Sequence, residues 1–283
     1  MTFYFGYGSN LDFRDWSDWC AKRDAAPHGL VEHQRAFLPG YNISYSHYSV
    51  SREGGAANLY DNAHGLCGTY GVLFTVDEDC LKLLDKKEGH PRHYRRMDVV
   101  VIAESGEYIE AITYISSKYD GDSYFLPKDD YHRLIHTGLL DRHMPTTGID
   151  LARQDIDNSN IGFIIAYGTL KKGQLREGLM PGDFVCNGYI NGDLYDLGPY
   201  PGLVDGNGRV FCEVYSTENL VEDARLLDRI EGTDLNPPLY QRRVIPVECD
   251  DGILRYGICY FYNGDFEGAT KTVSYTHLTL PTI

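Results

Sequence analysis

An apolar run ending in a glycine-flanked polar turn, Phe3-Tyr4-Phe5-Gly6-Tyr7-Gly8-Ser9-Asn10-Leu11, recurs 160 positions later as Phe163-Ile164-Ile165-Ala166-Tyr167-Gly168-Thr169-Leu170. A recurrence of this kind requires two related domains, and a length of 283 residues lets each half bury its own core. Each run carries the aromatic and β-branched residues of a buried strand. Each turn places a residue without Cβ where backbone N–H groups can face a ligand. Loops of that kind hold anions or polar groups by the main chain.

The second repeated feature is a helix that ends in a glutamate. Asp77 to Glu88 reads as a helix capped by Thr75 or Asp77 and stopped by Gly89. Leu81, Leu84 and Glu88 lie at i, i+3 and i+7, so a carboxylate occupies the apolar stripe. From about Thr217 the pattern returns: Leu220, Ala224, Leu227 and Glu231 share a face, and Gly232 ends it. The strands after it, Leu239-Tyr240-Gln241-Arg242 and Ile258-Cys259-Tyr260-Phe261, match His93-Tyr94-Arg95-Arg96 and Ile112-Thr113-Tyr114-Ile115.

A glutamate on an apolar face beside a main-chain polar loop is a candidate general base, because desolvation raises its pKa toward working pH. The competing reading has Glu88 and Glu231 reach water from a last helical turn, or pair with Arg95 or Arg242. Their occurrence at matched positions in both halves favours the chemical reading.

Between these landmarks, Leu11 to Cys20 fits a short helix and Gly29 to Val50 two strands. The small, polar segment Ser51 to Ala63 reads as a loop with a strand end at Asn58 to Tyr60. Gly65 to Val76, Tyr94 to Ala103 and Glu107 to Ile115 read as strands, and Pro127 to Thr137 as a helix. Asp141 to Asn160 has linker composition, which gives domains at 1–150 and 160–272. In the second half a Gly- and Pro-rich stretch around Gly198 to Val204 precedes a strand at Arg209 to Tyr215. Val273 to Ile283 looks like a translated adapter of the sort used to build sequencing libraries, so it reads as a non-native tail that replaces a natural continuation past Thr272. The alternative is a genuine Thr-rich strand.

Composition removes several function classes. A formal charge of −15 and the absence of a Lys or Arg block argue against nucleic acid. Seven scattered cysteines without a C-x-x-C pair signal neither a disulfide framework nor a zinc site. No apolar run approaches the roughly 20 residues that span a bilayer, and Met1 leads straight into a strand, so the chain reads as cytosolic with no membrane partner. His132 and His136 at i, i+4, and His90 with His93, lack a third ligand at informative spacing, and no nucleotide loop spacing occurs. The expectation is no metal and no cofactor.

The first half resembles γ-glutamylcyclotransferase through Phe5 to Leu11, Gly54-Gly55-Ala56-Ala57, the Glu88-Gly89 helix end, Tyr94 and Tyr114. The second resembles the γ-glutamylamine cyclotransferase and AIG2-like branch through Tyr167 to Gln174, Pro199-Tyr200-Pro201, Leu227 to Gly232 and Tyr240-Gln241-Arg242. The resemblance implies an α+β chain of two tandem γ-glutamylcyclotransferase-like domains, each a small mixed β-barrel with flanking helices. It implies a small-molecule γ-glutamyl substrate whose own amine attacks its γ-carbonyl, giving 5-oxoproline and a free amine. Glu88 and Glu231 would carry protons. Tyr7, Gly8, Ser9, Asn10, Leu11, Tyr94 and Tyr114 would bind substrate in the first domain, and Tyr167, Gly168, Thr169, Leu170, Tyr240 and Tyr260 in the second. One or both domains acting only as ligand-binding or interaction modules is the other function class. The interval from Tyr7 to Glu88 is 81 residues against 64 from Tyr167 to Glu231, and the surplus is expected near Tyr41 to Asn62, narrowing or covering the first pocket.

Overall fold

The computed structural model describes residues 2–62, 64–117, 123–272 and 274. Apart from Ser274, the tail expected to be non-native lies outside them. The chain divides into two compact units, Met1–Ser159 and Asn160–Ile283.

In chain order the first unit comprises β1 (Thr2–Gly6), α1 (Phe13–Ala21), β2 (Leu30–Pro39), β3 (Tyr41–Ser49), β4 (Gly54–Asp61), β5 (Gly68–Val76), α2 (Glu78–Glu88), β6 (Tyr94–Ala103), β7 (Tyr108–Ser116), α3 (Asp129–Leu140) and α4 (Thr147–Arg153). Strands β1, β5, β2, β6 and β7 close into a barrel in that order. The β1–β7 pair is parallel at Tyr4 and Ile112, and the other pairs are antiparallel. Closure leaves no free edge. β3 and β4 form a separate two-stranded sheet. Phe5, Val72, Leu73, Leu84, Val101 and Ile135 fill the core.

The second unit runs β8 (Gly162–Ala166), β9 (Asp183–Asp196), β10 (Pro201–Thr217), α5 (Leu220–Glu231), β11 (Tyr240–Cys249), β12 (Leu254–Tyr262) and β13 (Thr270–Thr272). Its ring, β10-β8-β12-β11-β9, closes through β9–β10 pairing, and β13 adds to β9. The parallel contact recurs between β8 and β12 at Ile164 and Ile258. Ile165, Leu194, Leu203, Val214, Val247 and Phe261 pack its interior. The molecule is therefore an α+β protein of two five-stranded mixed barrels with flanking helices.

Three segments differ from the sequence reading. Ser51 to Ala63 contains β4, which pairs with β3. The linker-like segment 141–160 contains α4. The Gly- and Pro-rich stretch starts β10 at Pro201 and continues, through a bulge between Val204 and Arg209, into the expected strand. Among the described residues no helix is long and apolar enough to cross a membrane.

Candidate active site

Helix α2 is started by Asp77, whose side chain accepts the Cys80 N–H at 2.7 Å, and stopped by Gly89 in the left-handed conformation at φ 65°. That stop leaves Glu88 as the last helical residue, on the wall of a cavity of about 620 Å³ shared with Gly8, Ser9 and Asn10 of the turn after β1. In α5 the same device recurs: Gly232 has φ 65° and Glu231 precedes it. The cap here comes from outside the helix, with Asn160 accepting the Val221 N–H at 2.8 Å through its side chain.

The Glu88 carboxylate accepts a hydrogen bond from Asn10 Nδ2 at 3.1 Å, and the same amide donates to the Tyr4 hydroxyl at 2.9 Å. Lys87 Nζ fixes the other side of Asn10 by donating to its Oδ1 at 2.5 Å, and reaches Asp15 at 3.1 Å and Ser9 Oγ at 3.3 Å. Arg52, from the β3–β4 turn, donates to both Asp15 oxygens at 2.7 Å. Burial pushes the Glu88 carboxyl above the ordinary range, while Lys87, the Asn10 donor and Arg52 partly oppose it. Asp15 moves the other way, because Lys87 and Arg52 outweigh its own burial. The site thus holds two carboxylates in opposite states of readiness, one raised toward proton exchange and one held ionised.

Tyrosines build the frame. Tyr7 donates its hydroxyl to the Tyr114 carbonyl at 2.5 Å, Tyr94 to the Ala57 carbonyl at 2.8 Å, and Tyr114 to Asp85 at 2.8 Å. Arg96 pairs with the same Asp85 at 3.1 Å. The second unit repeats this set: Tyr167 donates to the Tyr260 carbonyl at 2.7 Å, Tyr240 to the Pro201 carbonyl at 2.6 Å, and Tyr260 to Asp228 at 2.9 Å, with Arg242 on Asp228. Arg96 and Arg242 pair with the aspartate three residues before each glutamate, so Arg242 does not provide the ion pair of the competing reading, and among the described residues no ion pair joins Arg95 to Glu88.

Glu231 faces a cavity of about 70 Å³ together with Gly168, Thr169, Leu170, Arg176 and Ile230. Leu170 stands where the first unit has Asn10, and Ile230 where it has Lys87. Burial raises the Glu231 carboxyl to about 7, opposed by Arg176.

The residues expected to bind substrate gather at these two cavities, with one departure. Leu11 is buried in the core, and its N–H donates to the Gly8 carbonyl at 3.1 Å, so its amide is already used. Leu170 does line the second cavity. Sequence reasoning missed Tyr4, Asp15, Arg52, Lys87 and Tyr131 at the first cavity and Arg176 at the second. Lys87 was legible in principle, adjoining Glu88 on the same last turn, and Tyr4 lies on β1 just before the Tyr7 turn; Asp15, Arg52 and Tyr131 come from other elements. The first cavity is the larger, so of the two expected effects the surplus does not narrow it relative to the second, while the β3–β4 turn does contribute Ser49 to Arg52 to its wall. Part of the surplus length also lies elsewhere: 23 residues separate Tyr7 from the start of β2, against 16 from Tyr167 to β9, and α1 occupies that interval.

The family described as "Gamma-glutamyl cyclotransferase, AIG2-like" matches residues 4–133 and 164–277. A Methanocaldococcus jannaschii protein named provisionally as a gamma-glutamylcyclotransferase is 50% identical over 44 residues, covering 16% of this chain and 37% of the relative. The gamma-glutamylcyclotransferase family protein YtfP of Escherichia coli K12 is 41% identical over 61 residues, 20% of this chain and 51% of its own. The chain thus spans about half the length, or less, of these curated relatives. A solved structure titled "Gamma-glutamyl cyclotransferase" superposes with TM-score 0.46 at 20% identity over 55% of this chain and 88% of that one.

Proposed function

Because the chain belongs to the gamma-glutamyl cyclotransferase, AIG2-like family, we propose that its first barrel is an enzyme site that converts a γ-glutamyl amino acid or peptide into 5-oxoproline and a free amine. The observation that carries this reading is the Glu88 carboxylate, raised by burial on the wall of a roomy cavity beside the Tyr7-Gly8-Ser9-Asn10 turn. The nucleophile belongs to the substrate, so the protein needs no activated serine or cysteine. Its tasks are to fold the γ-glutamyl chain so that amine and γ-carbonyl meet, and to move protons from one nitrogen to the other. Glu88 takes a proton from the substrate ammonium and gives it to the departing amine as the C–N bond breaks, and the second proton lost by the attacking nitrogen leaves through solvent, so that the released amine is an ammonium at neutral pH. Backbone N–H groups of Gly8, Ser9 and Asn10 hold the substrate, and the Asn10 amide sets the direction of the carboxylate. Tyr94 and Tyr114 shape the wall, their hydroxyl protons being donated to the protein.

In the second barrel Glu231 performs the same step on a γ-glutamyl amine or related amide, with Tyr167, Gly168, Thr169, Leu170, Tyr240 and Tyr260 as its walls. A second reading is favoured there by the cavity of about 70 Å³ and by Leu170 and Ile230 in place of polar groups: a module that binds a small ligand without turnover. Release of 5-oxoproline from a panel of γ-glutamyl amino acids and amines, by wild type, Glu88→Gln, Glu231→Gln and the double variant, separates these readings. Full activity in the double variant would remove the mechanism.

A further inference from the structure

Each ring contains a short seam. In the first barrel β2 meets β6 at two positions, Ala36 with Ala103 and Phe37 with Ile102, and an ion pair across the seam, Arg35 Nε to Glu104 Oε2 at 2.6 Å, reinforces it. In the second, β9 meets β11 at two positions, Gly188 with Cys249 and Tyr189 with Glu248. The chemistry across that seam differs. Cys186 on β9, Cys249 at the end of β11 and Asp251 in the following turn bring two sulfurs and a carboxylate oxygen within 4.8 Å of one another. Both thiols are buried and Asp251 is exposed, so one side of the cluster opens to solvent. Cys249 and Asp251 share a tight turn closed by the Gly252 N–H on the Cys249 carbonyl at 3.0 Å. Arg255, buried on β12, donates to Cys186 Sγ at 3.6 Å and to both Asp251 oxygens at 2.8 and 2.7 Å.

The geometry points to a binding site for one thiophilic divalent cation, such as Zn²⁺, held by Cys186, Cys249 and Asp251 and stapling β9 to β11 at that short seam. Two thiolates and a carboxylate suit a borderline-soft ion, and a water completes four-coordination. The balance is explicit: the ion replaces two thiol protons, which leave to solvent, and no electron is transferred. Two thiolates, one carboxylate and a divalent ion sum to one negative charge, which the Arg255 guanidinium neutralises while its N–H supports the sulfur. Because each thiol gives up its proton to bind the ion, binding tightens as pH rises.

The test uses the full chain, reduced and stripped of metal, titrated with Co²⁺ and then Zn²⁺. One Co²⁺ per chain with thiolate-to-cobalt absorption is expected, displaced by Zn²⁺, together with a higher melting temperature in Zn²⁺. Cys186→Ala and Cys249→Ala, which keep the core apolar, abolish the band, while Cys67→Ala and Cys80→Ala in the first unit retain it. Should a core variant fail to fold, Asp251→Asn on the exposed turn reads the same site by weakening Co²⁺ binding at least about tenfold. Absence of stoichiometric cobalt–thiolate absorption in folded wild type overturns the proposal, as does a band that survives in Cys186→Ala or an affinity unchanged in Asp251→Asn.

Discussion

In the first barrel the Glu88 carboxylate is influenced by the Asn10 amide, by the Lys87 and Arg52 cations and by the Asp15 carboxylate, whereas in the second Glu231 shares its cavity with Leu170, Ile230 and a single cation, Arg176. The tyrosine and Asp–Arg frame behind each glutamate is the same to the residue. The difference separates two jobs that a buried glutamate combines. The frame and the cap glycine place the carboxylate; its neighbours decide how readily it gives up a proton and what can approach it.

The largest effect expected is on turnover. Glu88→Gln lowers 5-oxoproline release from a γ-glutamyl amino acid by about 10²–10⁴-fold, the range for losing a positioned acid–base group, while Glu231→Gln leaves that substrate unaffected. Reversal of the two results would invert the comparison. Next comes stability against pH. A carboxyl raised from 4.5 to about 7 in the folded state favours folding fully below 4.5 and loses that contribution as pH rises through 7. Glu231→Gln should therefore gain on wild type between pH 5 and 8, by on the order of 2 kcal/mol in denaturant unfolding of the second barrel. A flat difference would mean that Glu231 is not raised.

A reciprocal graft sharpens the comparison further. Asn10→Leu removes the donor that favours ionised Glu88, so the acidic limb of the pH–rate profile should move to higher pH. Leu170→Asn should lower the Glu231 limb, followed on a γ-glutamyl amine. The smallest effect tests what is shared: Asp85→Asn and Asp228→Asn each weaken a tyrosine's charged acceptor to a neutral one and remove a partly exposed ion pair. Each should cost about 1 kcal/mol, alike in the two barrels. Thermal melts that differ strongly between them would show that the frames are not equivalent.

The sequence made the frame legible because its parts leave a local trace. A strand before Tyr-Gly, an apolar helix face with Glu-Gly at its end and a Tyr-x-Arg strand are each read within a few residues. Several neighbours of Glu88 leave none. Asp15 on α1, Arg52 on a hairpin turn and Tyr131 on α3 meet only after folding. The strand β4 was hidden for a different reason. Gly54-Gly55-Ala56-Ala57 lacks β-branched residues, and its strand state comes from pairing with β3 and from close packing against the chain before α3. The Gly55 N–H donates to the Leu126 carbonyl at 3.0 Å, and a Cβ there would meet the Phe125 carbonyl oxygen at 1.8 Å. Tertiary contact, not propensity, selects extended backbone there.

The β3–β4 hairpin has one more consequence. It stands outside the closed hydrogen-bond circuit of the first barrel, yet it delivers Arg52 to the cavity and Ala57 to the frame. Reaction chemistry and the outer wall are thus carried by separable parts of the chain. Exchanging residues 49–52 at the hairpin tip would alter what the cavity admits while leaving the barrel ladders and the Glu88 helix intact, which makes this tip the natural place to change the ligand of the proposed site by transplantation.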